Sequence, residues 1–185
     1  MLEDVLKSTE ERMDKAIQTL KRDLGTVRAG RATPAMLEKV TVEYYGSQMP
    51  VNQVASVSVP EPRQLVITPW DKSMLSEIER AIQKSDLGIN PMNDGTIIRL
   101  VIPPLTEQRR QELVKQVRRM AEESRVAVRN IRRDANDELK KAEKQGEISE
   151  DDNHRSMDKV QGLTDKYIAQ VDHVVQVKEE ELTEV

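Results

Sequence analysis

Leu6, Met13, Ile17, Leu20, Leu24 and Val27 recur at steps of three and four residues or their sum. That spacing lines one face of an α-helix and predicts a helix over residues 2–28. Gly25 is a weak point within it, and the helix should stop near Gly30, just ahead of Pro34. The same rhythm returns twice after residue 105. Leu113, Val117, Met120, Ala127, Ile131 and Ala135 predict a helix from Thr106, a good N-cap, to about Lys144, closed by Gly146. Met157, Val160, Leu163, Tyr167, Val171 and Val174 predict a third helix, weakened locally at Gly162. Ser149 and Asp152 stand where a reciprocal cap would start it.

Between the first and second helices the period changes. EKVTVEYY alternates and is rich in β-branched and aromatic residues, so it predicts a strand, with Gly46 to Pro50 as the following turn. QVASVSV and RQLVIT are two more strands, divided by the breaker PEP. Asp71 or Ser73 can cap a helix running to about Lys84, with Met74, Leu75, Ile78, Ala81 and Ile82 apolar. LGIN is a short strand candidate. Asp-Gly within NPMNDG marks a hairpin, TIIRLVI supplies its second strand, and Pro103-Pro104 ends the sheet.

The expected fold class is α+β. A helix of nearly 40 residues is roughly 55–60 Å long and cannot bury its apolar stripe alone. The economical solution is an elongated three-helix bundle from residues 1–29 and 106–185, with a small β/α/β unit inserted over residues 31–104. The chain crosses between them twice, near residues 29–31 and 103–105, which makes a plausible hinge.

Composition fits helix-on-helix packing: there is no Phe and a single Trp, so the core falls to Leu, Val, Ile, Met and Ala. Absence of cysteine removes disulfides, thiol nucleophiles and Cys-based zinc sites. No apolar run approaches the roughly 20 residues that span a bilayer. The N-terminus has acids in its first turn and lacks the apolar core of a signal peptide, so a soluble, non-secreted protein is expected.

The net charge of −4 hides an asymmetry: residues 107–146 hold twelve bases and eight acids, whereas residues 147–185 hold four bases and eleven acids. Local charge, not the overall pI, therefore decides which partners fit. On a wheel at about 100° per residue, Arg110, Arg118, Arg125, Arg129 and Arg132 fall within about 100° of arc, a row roughly 30 Å long beside the apolar seam. Two readings are open. The row can be a solvated face that pairs with the acidic third helix, or an edge that binds phosphates, for which the planar guanidinium fork is suited. No aromatic residues interleave with it, so it is no stacking platform for single-stranded bases; backbone and shape contacts would dominate. His154 and His173 are isolated, and no Ser-His-Asp order, phosphate loop or dinucleotide fingerprint occurs. Tyr44-Tyr45 read as strand packing, and Trp70, before an Asp and a helix, as a packing residue with part of its surface exposed.

VRAGRATPAML (27–37), VEYYGS (42–47), AIQKSDLGINP (81–91), PPLTEQRR (103–110), RVAVRNIRRDAND (125–137) and EISEDD (147–152) stand in order along the chain. In these blocks the sequence closely resembles the bacterial ribosome recycling factors, over essentially its full length. The resemblance implies an L-shaped pair of domains, the bundle and the insert. It implies a translation factor, not an enzyme, that acts with elongation factor G and GTP to disassemble the ribosome after termination. It implies a cytoplasmic monomer that binds the ribosome, chiefly large-subunit rRNA, and neither DNA nor membrane, with no cofactor or metal. The positions that match the family's rRNA-binding arginines are Arg28, Arg31, Arg110, Arg129, Arg132 and Arg133, with Arg132 foremost. The matching hinge is Ala29, Gly30 and Arg31 with Pro103, Pro104 and Leu105. A helical adaptor that binds proteins through its seams, or an enzyme with an unrecognised site in the insert, are the competing classes; no polar cluster in the insert supports the latter.

Overall fold

The computed structural model describes residues 1–27 and 30–183. Its elements are α1 (Leu2–Gly25), β1 (Thr41–Tyr44), β2 (Ser47–Pro50), β3 (Ala55–Glu61), β4 (Gln64–Pro69), α2 (Leu75–Lys84), β5 (Met92–Asn93), β6 (Ile98–Val101), α3 (Glu107–Lys144) and α4 (Glu150–Thr183). The described residues form two compact units, one of α1, α3 and α4 and the other of residues 30–106. Among the described residues no helix is long and apolar enough to cross a membrane.

In the helical unit α3 runs antiparallel to both neighbours. Arg118 pairs with Glu179 and Arg125 with Asp172, so rising numbers on α3 meet falling numbers on α4. Arg12 on α1 likewise meets Asp134 near the far end of α3. The buried line on α3 is Leu113, Val117, Ala121, Ser124, Val128, Ile131, Ala135, Leu139 and Ala142. It differs from the expected seam in its middle, where Met120 and Ala127 are only half-buried. A helix wedged between two others buries a wider arc, which takes in the small residues Ala121 and Ser124.

The seam of α4 shifts in the same way: Asn153, Ser156 and Thr164 are buried, while Met157, Leu163 and Val174 are half-buried. Ser156 and Thr164 fit because they are small, while Asn153 is satisfied only at its amide N–H, its Oδ1 meeting no partner among the described residues. Thr164 donates its hydroxyl to the Val160 carbonyl (2.8 Å), Thr9 on α1 donates to Val5 (2.7 Å), and Asn153 donates to Glu143 (2.7 Å).

The α3–α4 corner follows from local rules. Gly146 takes φ 74°. Its N–H donates to the Glu143 carbonyl (3.0 Å) and that of Glu147 to Ala142 (2.9 Å), the two bonds of a Schellman stop. Ser149 and Asp152 then cap α4 reciprocally, through Asp152 N–H to Ser149 Oγ (3.0 Å) and Ser149 N–H to Asp152 Oδ2 (3.4 Å).

The sheet unit has one core, in which Leu37, Val42, Val51, Leu65, Ile67, Ile78, Ile82, Ile98 and Leu100 are buried together. Its main sheet is antiparallel throughout, in the order β3-β4-β6-β5. Register sets Leu65 opposite Leu100 and Ile67 opposite Ile98, so both pairs point to the face that α2 covers with Ile78 and Ile82. β1 and β2 form a separate hairpin.

Two expectations fail here. Residues 47–50, expected as a turn, are strand β2; the turn is Tyr45-Gly46 alone, with φ 49° and 82°. Both residues lie in the left-handed region, as a tight hairpin with the native twist requires. LGIN forms no strand; Gly88 sits at φ 67° and the segment leaves α2 as irregular chain. The ends of the insert converge: Ala32 N–H donates to the Pro62 carbonyl (2.8 Å) and Ile102 N–H to Arg63 (2.7 Å). Gly30, at φ 72°, lies where a Cβ would come 3.3 Å from Leu105 Cγ.

Three carboxylates, the exposed Asp94 and the half-buried Asp71 and Asp152, organise turns and caps, and each is held below the usual range. For Asp71 the chief cause is the Ser73 hydroxyl, for Asp94 the Ile97 N–H, and for Asp152 the Arg155 guanidinium. A depressed carboxylate stabilises the fold above its unfolded pKa and loses that contribution as pH falls through the folded value. Unfolding free energy should therefore decline on acidification below about pH 4, the ordinary aspartate value. Urea titrations at a series of pH values should show a shallower decline for Asp94→Asn.

Candidate nucleic-acid interface

Among the residues expected to bind RNA, Arg28 lies outside the described residues, as does Ala29 of the hinge. Arg31 belongs to the sheet unit and is half-buried there. Arg110, Arg129, Arg132 and Arg133 all stand on α3.

The structure divides the arginine row by what each guanidinium meets. Arg118 donates from Nε to Glu179 Oε1 on α4 (3.1 Å). Arg125 donates two N–H groups to Asp172 Oδ1, at 2.7 and 3.1 Å, and a third to Glu122 at 3.4 Å. Those bonds, first the one to Asp172, hold its guanidinium protonated even more firmly than usual. These two arginines fasten α3 to α4, as the charge-pairing reading predicts.

Of the others, Arg110 is held within its own helix, and Arg129, Arg132 and Arg133 meet little or no negative charge among the described residues. Arg110 is mostly covered, with Nη1 3.3 Å from Glu107 on its own helix. Arg129 reaches Glu122 only at 3.7 Å, beyond a hydrogen bond, and Glu122 is already shared with Arg125. Arg133 is exposed and contacts the neutral Asn130 amide (3.4 Å). Arg132 is half-buried and has no carboxylate partner among the described residues. Within the arginine-rich stretch 125–133, the guanidiniums that α4 does not neutralise are thus Arg129, Arg132 and Arg133, all within little more than one turn. A phosphate arriving there need not displace a well-formed internal bond, whereas at Arg125 it would have to break three.

Nothing at this edge offers other chemistry. Among the described residues no group of carboxylates and histidines could hold a metal. His154 and His173 are exposed, in line with expectation. The aromatic residues lie elsewhere; Tyr45 departs from the packing role expected of it, and Trp70 is exposed further than the partial exposure expected. Trp70 is 68% exposed and Tyr45, at the hairpin tip, is 85% exposed, its ring edge-on to the half-buried Tyr44.

The division within the row is not visible on a single helical wheel. Acids seven residues apart on α4, Asp172 and Glu179, match arginines seven apart on α3, but the spacing runs on to Asp165 and Arg132 and so does not mark the division.

Residues 20–183 match the family model described as ribosome recycling factor. The ribosome-recycling factor of Carboxydothermus hydrogenoformans is 61% identical over 185 residues, the whole of both chains. That of Brevibacillus brevis is 60% identical over the same span, again all of both chains. Among solved structures, the solution structure of a ribosome recycling factor shares 42% identity and superposes with a TM-score of 0.77, covering 100% of this chain and 98% of the other. A chain from models of the T. thermophilus ribosome recycling factor and E. coli elongation factor G on the E. coli post-termination complex is 47% identical, with a TM-score of 0.64 and 98% of each chain covered. With its family model matched over most of the chain and its relatives matched from end to end, this protein belongs to the ribosome recycling factor family.

Proposed function

We propose that the chain is a cytoplasmic translation factor that docks on large-subunit rRNA through the Arg129–Arg133 turn of α3 and, with elongation factor G and its GTP hydrolysis, helps to take apart the post-termination ribosome. The observation that carries this reading is Arg132, placed beside Arg129 and Arg133 and left without a carboxylate partner among the described residues. Arg110, with Arg28 and Arg31, extends the contact. Binding is by charge and backbone shape, since no base-stacking ring stands at the edge.

The chain's own work is mechanical and not catalytic. Helices α3 and α4, of 38 and 34 residues, make a stiff lever. The hinge is Ala29, Gly30 and Arg31 with Pro103, Pro104 and Leu105, and it lets the insert receive the translocase's push while the bundle stays docked. The protein acts as a monomer.

The test is large-subunit binding by Arg132→Ala across a salt series, with Arg118→Ala as the comparison. A charge-assisted bond to phosphate contributes about 1.5–3 kcal/mol, so Arg132→Ala should bind roughly ten- to a hundredfold more weakly, with a salt slope reduced by about one contact. Arg118→Ala, which removes only a pairing to α4, should bind nearly as wild type. Equal binding by all three proteins would refute the docking edge and favour a protein-binding adaptor.

A further inference from the structure

The pairs Arg118–Glu179 and Arg125–Asp172 are rungs of a ladder: the numbers rise by seven on α3 as they fall by seven on α4. Seven residues bring each helix back to nearly the same face, about 10.5 Å further along. The next rung in this register is Arg132 with Asp165. It is open. Among the described residues Arg132 has no carboxylate partner, and Asp165 Oδ1 instead accepts from the Gln161 side-chain amide at 2.8 Å.

The reason is local to α4. An acid can take a hydrogen bond from a side chain four residues before it on the same helix face. At the two closed rungs that position is apolar, Ile168 before Asp172 and Val175 before Glu179. Only at the open rung is it an amide, Gln161. Asp165 therefore has a neutral donor within its own helix at the one place where its arginine counterpart is the candidate phosphate ligand.

We infer that Gln161 is a positioning residue for the RNA-binding edge: by donating to Asp165 it withholds that carboxylate from Arg132 and keeps the third rung open for a phosphate. This rests on the docking role proposed for Arg132. Without the amide, Asp165 swings to Arg132, closes the rung and competes with RNA for the guanidinium. The competition is that of an exposed ion pair, so its effect is modest and saltable.

The experiment uses the full chain with and without large subunits. In the free protein, the Arg132 Nε–H signal in a nitrogen–proton correlation spectrum, assigned by its loss in Arg132→Ala, should move in Gln161→Ala and return when Asp165→Asn is added. Gln161→Ala should bind large subunits roughly two- to fivefold more weakly, the size of an exposed ion pair, and the double variant should bind as wild type. A purely structural role for Gln161 would not be cured by Asp165→Asn. An unmoved Arg132 signal, unchanged binding by Gln161→Ala, or weakening that survives Asp165→Asn would each overturn the inference while leaving the Arg132 docking role intact. Wild-type binding by Arg132→Ala would instead remove the docking role and this inference with it.

Discussion

Leu139→Ala should lower the unfolding free energy of the helical unit by about 2–5 kcal/mol. Leu139 is fully buried in a cluster with Val5, Ala135 and Val160, flanked by the half-buried Leu2, Leu6, Ile148 and Met157. Those residues come from α1, α3, the α3–α4 corner and α4, so the leucine stands where every helix of the unit meets. Truncation loses the transfer free energy of the removed groups and leaves a void lined by all three helices. Long helices fixed to each other along their whole length have little freedom to close it, which places the cost toward the upper end. Val126, on the same helix but 45% exposed, is the comparison: Val126→Ala should stay within about 0.5 kcal/mol. Urea unfolding with an unchanged m-value measures both. A loss below about 1 kcal/mol for Leu139→Ala would mean that the end of the bundle collapses onto the gap and is not stiff, which would also weaken the lever assigned to it.

How much of this was legible beforehand differs between elements for physical reasons. The three long helices announce themselves because each must bury a stripe, and a stripe is periodic. Gly146 and the Ser149/Asp152 pair were legible because stops and caps depend on a few neighbouring residues. β2 was not: SQMP has no alternation and ends in proline, and it is a strand only because β1 lies beside it. Ser124, Ser156 and Thr164 were missed in the seams because a hydropathy pattern counts a hydroxyl as surface, whereas a helix packed on two sides buries small polar residues as well. The arginine row shows the same boundary. Its direction along α3 follows from helical geometry alone. Which members are spent on α4 depends on the register between two helices, and a single wheel carries no register. The six arginines matched to the family never included Arg118 or Arg125, the two that fasten α3 to α4.

Replacing Arg129 and Arg132 together by alanine should weaken large-subunit binding by on the order of a hundredfold or more, the largest functional loss expected from any pair on α3. Each guanidinium that meets a phosphate contributes about 1.5–3 kcal/mol, and every tenfold in affinity is 1.4 kcal/mol. Neither truncation orphans a well-bonded acid: Glu122 keeps its 3.4 Å bond from Arg125, and Arg132 has no acidic partner among the described residues. The fold should therefore be unchanged, and circular dichroism with a thermal melt verifies it. Two lost phosphate contacts should also flatten the dependence of log affinity on log salt by between one and two units, since about 0.7–0.9 of a counterion is released per contact. Affinity and slope must fall together. A large loss of affinity with an unchanged slope would mean that the alanines disturb the shape of the edge and not its charge. The pair Arg118→Ala/Arg125→Ala carries the same change in net charge but removes the bonds to Glu179 and Asp172. It should loosen α4 from α3 and lower the melting temperature, with a much smaller effect on the salt slope. If instead the two pairs gave the same slope, long-range charge alone would account for docking, and no individual arginine on α3 would have a phosphate of its own.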